Sequence, residues 1–176
     1  MKKCNAGFTL VEVIVSIAIL SIIITPIGFM LINQSKSTKD NQNITFVQQN
    51  AQLAMSSFRT KCIPASSVIT IENESGLSVL SESTANVQFS KLVLKNIHTG
   101  ESTTYEYNSS THTLRYNGAD IATGIKVLVS PLPDTSNYAN CKGLKINIES
   151  SKSDAGAKKT HNLKLENQFY FRNAAK

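Results

Sequence analysis

Near the amino terminus, Gly7-Phe8-Thr9-Leu10-Val11-Glu12 sets a carboxylate at the threshold of a long apolar run. From Phe8 to Ile32 the chain reads FTLVEVIVSIAILSIIITPIGFMLI, and Glu12 is its one charged residue. A lone carboxylate in hydrocarbon is costly, so it is a functional hypothesis by default. The other reactive side chains do not gather. His98, His112 and His161 stand apart in polar, turn-like surroundings, without the clustered spacing metal ligands use, and read as exposed. There is no Gly-x-Ser-x-Gly elbow and no phosphate-binding glycine loop. The acids are scattered, with no pair placed for general acid–base work. The expectation is a protein without cofactor, metal or catalytic set.

The elements that must carry Glu12 follow from composition. Hydrophobic residues make up 41% of 176 positions, but they crowd into the first 32, and Ser, Thr, Asn and Lys dominate the remainder. Val13 to Ile32 is free of charge. As a helix it spans about 30 Å, the thickness of a bilayer's hydrocarbon core. Lys2 and Lys3 precede it and put the amino terminus in the cytoplasm by the positive-inside rule, with the rest of the chain outside. A secretory signal peptide would have an apolar core of about 7–15 residues and a small-residue cleavage site. This run is longer and ends in Asn33-Gln34-Ser35-Lys36. A plain anchor helix explains the length and leaves Glu12 without a purpose. The net charge of +6 admits a nucleic-acid partner, yet the lysines lie among acids and no basic stripe alternates with aromatics.

Lys2-Lys3, then Gly7-Phe8-Thr9-Leu10-Val11-Glu12 and an unbroken apolar run resemble the amino-terminal signature of type IV prepilins. The pseudopilins of type II secretion and competence systems share it. The resemblance implies that a prepilin peptidase cuts between Gly7 and Phe8 and that the new amino group of Phe8 is methylated. Gly7, lacking a side chain, leaves the backbone open to a peptidase. The cut creates an amine at Phe8, and methylation need not remove its positive charge. The resemblance makes the amine of a neighbouring subunit the partner of Glu12, which becomes an assembly residue. Pro26, with Gly28 close by, removes one helical hydrogen bond and marks a candidate kink. Many family members carry their proline at a different distance along the helix.

Past Ile32, Ile44, Val47, Ala51, Ala54 and Phe58 recur at steps of three and four, with Leu53 beside them, as on one face of a helix. A separate helix and a continuation of the membrane helix both fit; the resemblance favours one helix, from Phe8 to about Thr60. Pro64 marks its end. Beyond it the apolar period falls to two. Val68–Glu72, Val87–Lys95, Ile121–Ser130, Leu144–Ile148 and Leu163–Phe171 read as strands. Tyr105 and Tyr107 with Leu114 and Tyr116 read as a hairpin around Asn108-Ser109-Ser110-Thr111. Asp134–Asn137 and Ser151–Lys159 read as loops.

The resulting fold class is α+β: a long amino-terminal helix, membrane-embedded in its first half, packed on an antiparallel β-sheet domain. Residues 1–7 are a leader, 8–32 a transmembrane assembly helix, 33–62 its amphipathic continuation, and 63–176 a β-rich domain. The resemblance implies a minor pilin-like structural subunit, similar also to J-like pseudopilins, incorporated into a type IV pilus to prime assembly or stand at the tip. The alternatives are a pseudopilin of a type II secretion or competence DNA-uptake system, or a membrane-anchored adhesin or binding module. Implied partners are the prepilin peptidase, other pilin or pseudopilin subunits, an inner-membrane assembly platform, and membrane lipid before assembly; no nucleic acid or small molecule is indicated. Removing the leader takes Cys4 with it and leaves Cys62 and Cys141, an even count on the oxidising side. That suits a disulfide, with two buried free thiols as the alternative. Co-expressed with a prepilin peptidase, the chain is expected to lose residues 1–7 and gain a methyl group on Phe8. Intact-mass analysis checks this, and cleavage after Ile32, or none, would contradict it.

Overall fold

The computed structural model describes residues 9–82, 86–96, 99–153 and 160–172. Gly7 and Phe8, together with His98, lie outside the described residues. Helix α1 spans Leu10–Cys62. Its residues before Asn43 form one compact unit, and Asn43–Lys176 form the other.

In the first unit every large apolar side chain from Leu10 to Ile32 is exposed. Hydrocarbon is the solvent that tolerates such a surface, and by length and composition the helix can cross a membrane. The few hydroxyls in the run are folded onto the backbone. Ser16 donates to the Glu12 carbonyl at 2.7 Å, Ser21 to that of Ala18 at 2.8 Å, and Thr25 to that of Ser21 at 3.0 Å. A hydroxyl bonded in this way shows lipid no unsatisfied donor.

In the second unit α1 buries Val47, Ala51, Ala54, Phe58 and Cys62, the expected stripe continued by one turn. Ile44, expected on that stripe, is exposed, and so is Leu53. Phe58 is the anchor. Its ring stacks on Tyr105 with centroids 4.5 Å apart and meets the edge of Phe89 at 6.4 Å. One residue earlier, the Ser57 and Tyr105 hydroxyls are hydrogen-bonded at 2.9 Å. Small side chains at Ala51 and Ala54 let the helix approach the sheet closely.

The β strands are β1 (Ser67–Asn73), β2 (Phe89–Lys95), β3 (Ser102–Asn108), β4 (Thr113–Tyr116), β5 (Ala119–Thr123), β6 (Ile125–Leu132), β7 (Gly143–Ser153) and β8 (Thr160–Tyr170). They form two antiparallel sheets, β1-β2-β3-β4-β5 and β6-β7-β8, each in chain order. The expected β3–β4 hairpin is present. Asn108 Oδ1 accepts the amides of Ser110 at 2.9 Å and Thr111 at 3.1 Å, a side-chain turn that reverses the chain.

Two expectations about the strands are corrected. Ile121–Ser130 is not one strand: Gly124 interrupts it at φ +66, and β5 and β6 enter different sheets. A side chain at Gly124 would be strained by that φ and would approach Phe46 to 3.2 Å. The chain does not turn to a loop at Ser151 either, because β7 pairs with β8 as far as Ser153 and Thr160. The rest of that expected loop, 154–159, lies outside the described residues. A pair of backbone bonds between Val87 and Val129, at 2.8 and 2.9 Å, links the two sheets. The sheets share one core with α1, in which Tyr105, Tyr138, Leu144, Ile146 and Ile148 are fully buried.

Cutting Phe58 to alanine removes both aromatic contacts at the centre of this core. In a truncated chain beginning at Ser35, Phe58→Ala is expected to cost about 3–5 kcal/mol, read by urea denaturation followed by circular dichroism. A loss under about 1 kcal/mol would show that α1 does not anchor the sheets.

Candidate functional site

Thr9 and Glu12 form a reciprocal cap at the start of α1. The Glu12 amide donates to Thr9 Oγ1 at 3.4 Å, while Glu12 Oε2 accepts the Thr9 amide and the Thr9 hydroxyl, each at 2.9 Å. Thr9 stands at the N-cap and Glu12 three residues on, the arrangement of a capping box. The first helical bond, Val13 amide to Thr9 carbonyl at 3.3 Å, closes the turn. The free amides of a helix start carry partial positive charge, so a carboxylate is favoured there. Glu12 is thus less anomalous than composition implies: part of its charge is met inside its own chain. Both contacts fall on Oε2, and among the described residues Oε1 takes no hydrogen bond. Among the described residues the carboxylate is aimed by one oxygen and open at the other.

Thr9 is not among the site residues expected from the sequence, although Thr9-x-x-Glu12 before an apolar run is the signal of such a cap. Gly7 and Phe8, lying outside the described residues, are placed by sequence alone, directly ahead of the cap. α1 continues through Pro26 and Gly28 without a break. The proline nitrogen carries no hydrogen, so the Ile22 carbonyl loses its helical donor. Nothing lies within 4 Å of a side chain built at Gly28.

Elsewhere the reactive side chains serve the fold. Cys62 and Cys141 are both buried and both free thiols in this structure. His112 is exposed, with Nδ1 3.1 Å from the Tyr107 hydroxyl, whereas His161 is half-buried rather than exposed. The Tyr107 hydroxyl donates to the Ile125 carbonyl at 2.9 Å. Burial, with the Glu74 carboxylate adding to it, pushes this phenol up to about 12. It therefore keeps its proton and acts as a structural donor. Among the described residues no group of three or more His, Cys, Asp or Glu could hold a metal ion. A cavity of about 550 Å³ beside the end of α1 is lined by Lys61, Lys95, Glu101 and Tyr116 among others. Its Lys61 ammonium sits over the Tyr116 ring at 5.1 Å, a packing contact rather than a reaction centre.

With this geometry in view, comparison with known families is specific at one end of the chain. Residues 2–28 match the prokaryotic N-terminal methylation motif. That motif is the hallmark of the type IV prepilin and pseudopilin family, and over these residues it supports a type IV pilin-like precursor. The motif implies processing by a prepilin peptidase and assembly with other pilins, and with the apolar helix it fits membrane anchoring. No curated protein and no solved structure matches the chain.

Proposed function

We propose that the protein is a minor pilin-like structural subunit, not an enzyme, of a type IV pilus or related filament. In this reading the peptidase removes residues 1–7, Phe8 becomes the methylated amino terminus, and residues 8–32 hold the chain in the cytoplasmic membrane with the β-rich domain outside. Subunits then leave the lipid by stacking these helices side by side, with 33–62 continuing each helix and 63–176 presented on the filament surface. Pro26 and Gly28 are the weak point of the helix. Priming of assembly, or a place at the tip, follows from the resemblance to minor pilins.

The observation that carries the proposal is the carboxylate of Glu12, bonded through Oε2 to Thr9, as the one charge in the exposed apolar run from Leu10 to Ile32. Thr9 fixes the direction of one oxygen and leaves the other for a cation. In a stack of helices with axial stagger, the amine of a neighbour's Phe8 is the cation the processing step supplies. Pairing lowers the cost of both charges in lipid, so it drives association and sets register together. A pseudopilin would use the same helix and carboxylate, so the test applies to whichever filament the cell builds.

Glu12→Leu and Glu12→Gln are expected to insert and be cleaved normally but to fall on the order of tenfold or more in sheared filaments, since each leaves a neighbour's amine unpaired. Thr9→Val, which removes the aiming hydroxyl, is expected to lower incorporation by a smaller factor, consistent with an N-cap worth about 0.5–2 kcal/mol, while Thr9→Ser restores it. Immunoblots of membrane and sheared-filament fractions provide the readout. Normal filament levels of both Glu12 variants would contradict the proposal.

A further inference from the structure

The core holds one pair of reactive groups that assembly does not use. Cys62 is the last residue of α1, and Cys141 lies between a 3-10 turn, Tyr138–Asn140, and β7. Both belong to the same buried cluster, 0% and 6% exposed. The backbone brings their surroundings together through the short segment that follows β8. The Arg172 amide donates to the Ile63 carbonyl at 2.9 Å, and the Phe171 amide donates to the Lys142 carbonyl at 2.8 Å. The residues immediately after the two cysteines are therefore tied to two consecutive residues of one segment. Lys142 is held again by its own amide, which donates to the Leu132 carbonyl at 2.7 Å. The Cys141 thiol donates to the Tyr138 carbonyl at 3.2 Å.

The electrostatics agree with this proximity. Burial pushes the Cys62 thiol far up, and the neighbouring Cys141 adds to the effect. Burial likewise pushes Cys141 up to about 11. Once the core has closed, neither sulfur is a nucleophile near neutral pH. Two thiols with no third ligand among the described residues do not make a zinc site.

We propose that Cys62 and Cys141 are joined by a disulfide in the exported protein, tying the end of α1 to the start of β7. The structure holds the reduced pair. The reaction is exchange with an extracytoplasmic dithiol–disulfide donor, before the segment after β8 has docked. One cysteine thiolate attacks the donor's disulfide and expels a donor thiolate, giving a mixed disulfide. The other cysteine thiolate attacks the chain's own sulfur in that intermediate and expels the second donor thiolate. The chain gives up two electrons and two thiol protons, and the donor leaves as a dithiol. Because the closed loop spans a large part of the chain, the bond restricts the unfolded state strongly.

The proposal takes from the preceding reading only that Asn43–Lys176 faces outward, so a failure of filament assembly leaves it standing. The test uses the full chain co-expressed with a prepilin peptidase in a host with an oxidising envelope. Membranes are denatured in N-ethylmaleimide and digested with trypsin without reduction. The expected product is peptide Cys62–Lys91 linked to peptide Val127–Lys142, separating on reduction. In detergent, reduction is expected to lower the Tm of the outer domain by about 10 °C, and not to change that of a Cys62→Ala/Cys141→Ala variant. Recovery of both peptides as maleimide adducts would overturn the proposal. So would either cysteine linked to Cys4 or to a second chain.

Discussion

If the apolar helix lies in lipid, as its motif and composition fit, one carboxylate must be satisfied in a place without water. Glu12 is the sole charge between Phe8 and Ile32. Its cost in lipid would count against the helix if nothing met it. The structure meets half of it locally: Thr9 supplies an amide and a hydroxyl to one oxygen, and the helix start supplies favourable partial charge. In the proposed function this arrangement makes the isolated subunit tolerable in a membrane and leaves the other oxygen, open among the described residues, for a neighbour. A carboxylate fully neutralised at home would give no drive to assemble. One left wholly bare would impair insertion.

The second constraint is mechanical. Within Asn43–Lys176 the contact that holds α1 on the sheets is narrow. Val47, Ala51, Ala54, Phe58 and Cys62 form a single stripe, and Phe58 alone engages two aromatic rings of the sheet. About half of the remaining helix positions there are Gln, Asn and Ser, which can face water or neighbours without cost to the core. The Asn50 side chain adds a polar fastening, accepting the Thr123 amide at 2.8 Å just before the Gly124 break. The place where β5 ends and β6 begins is thus pinned to the helix.

Much of this was legible in the sequence because it rests on period. The step from three-and-four to two near Pro64 separates helix from strands, and the alternation of Leu144, Ile146 and Ile148 announces a buried face. The capping box is legible too, in Thr9-x-x-Glu12 ahead of an apolar run. Other features were not legible for physical reasons. Gly124 sits inside an apolar strand pattern, and only its left-handed φ shows that the chain leaves one sheet there for another. The partition into five and three strands depends on long-range pairing, which local periodicity does not encode. Ile44 fits the helical stripe by spacing, yet it lies before the first buried position, Val47. Spacing gives direction around the helix, not where along it the packing begins.

The central claim is that Glu12 of one subunit pairs with the Phe8 amine of the next. A zero-length carbodiimide joins a carboxylate to an amine only when the two are in contact. Filaments grown from a mixture of isotopically light and heavy subunits are treated with it, digested and analysed by mass spectrometry. The account predicts cross-linked Phe8–Glu12 peptides that include mixed light–heavy pairs. Filaments in which other carboxylate–amine pairs are joined, but Glu12 is free or linked only within its own chain, would contradict it.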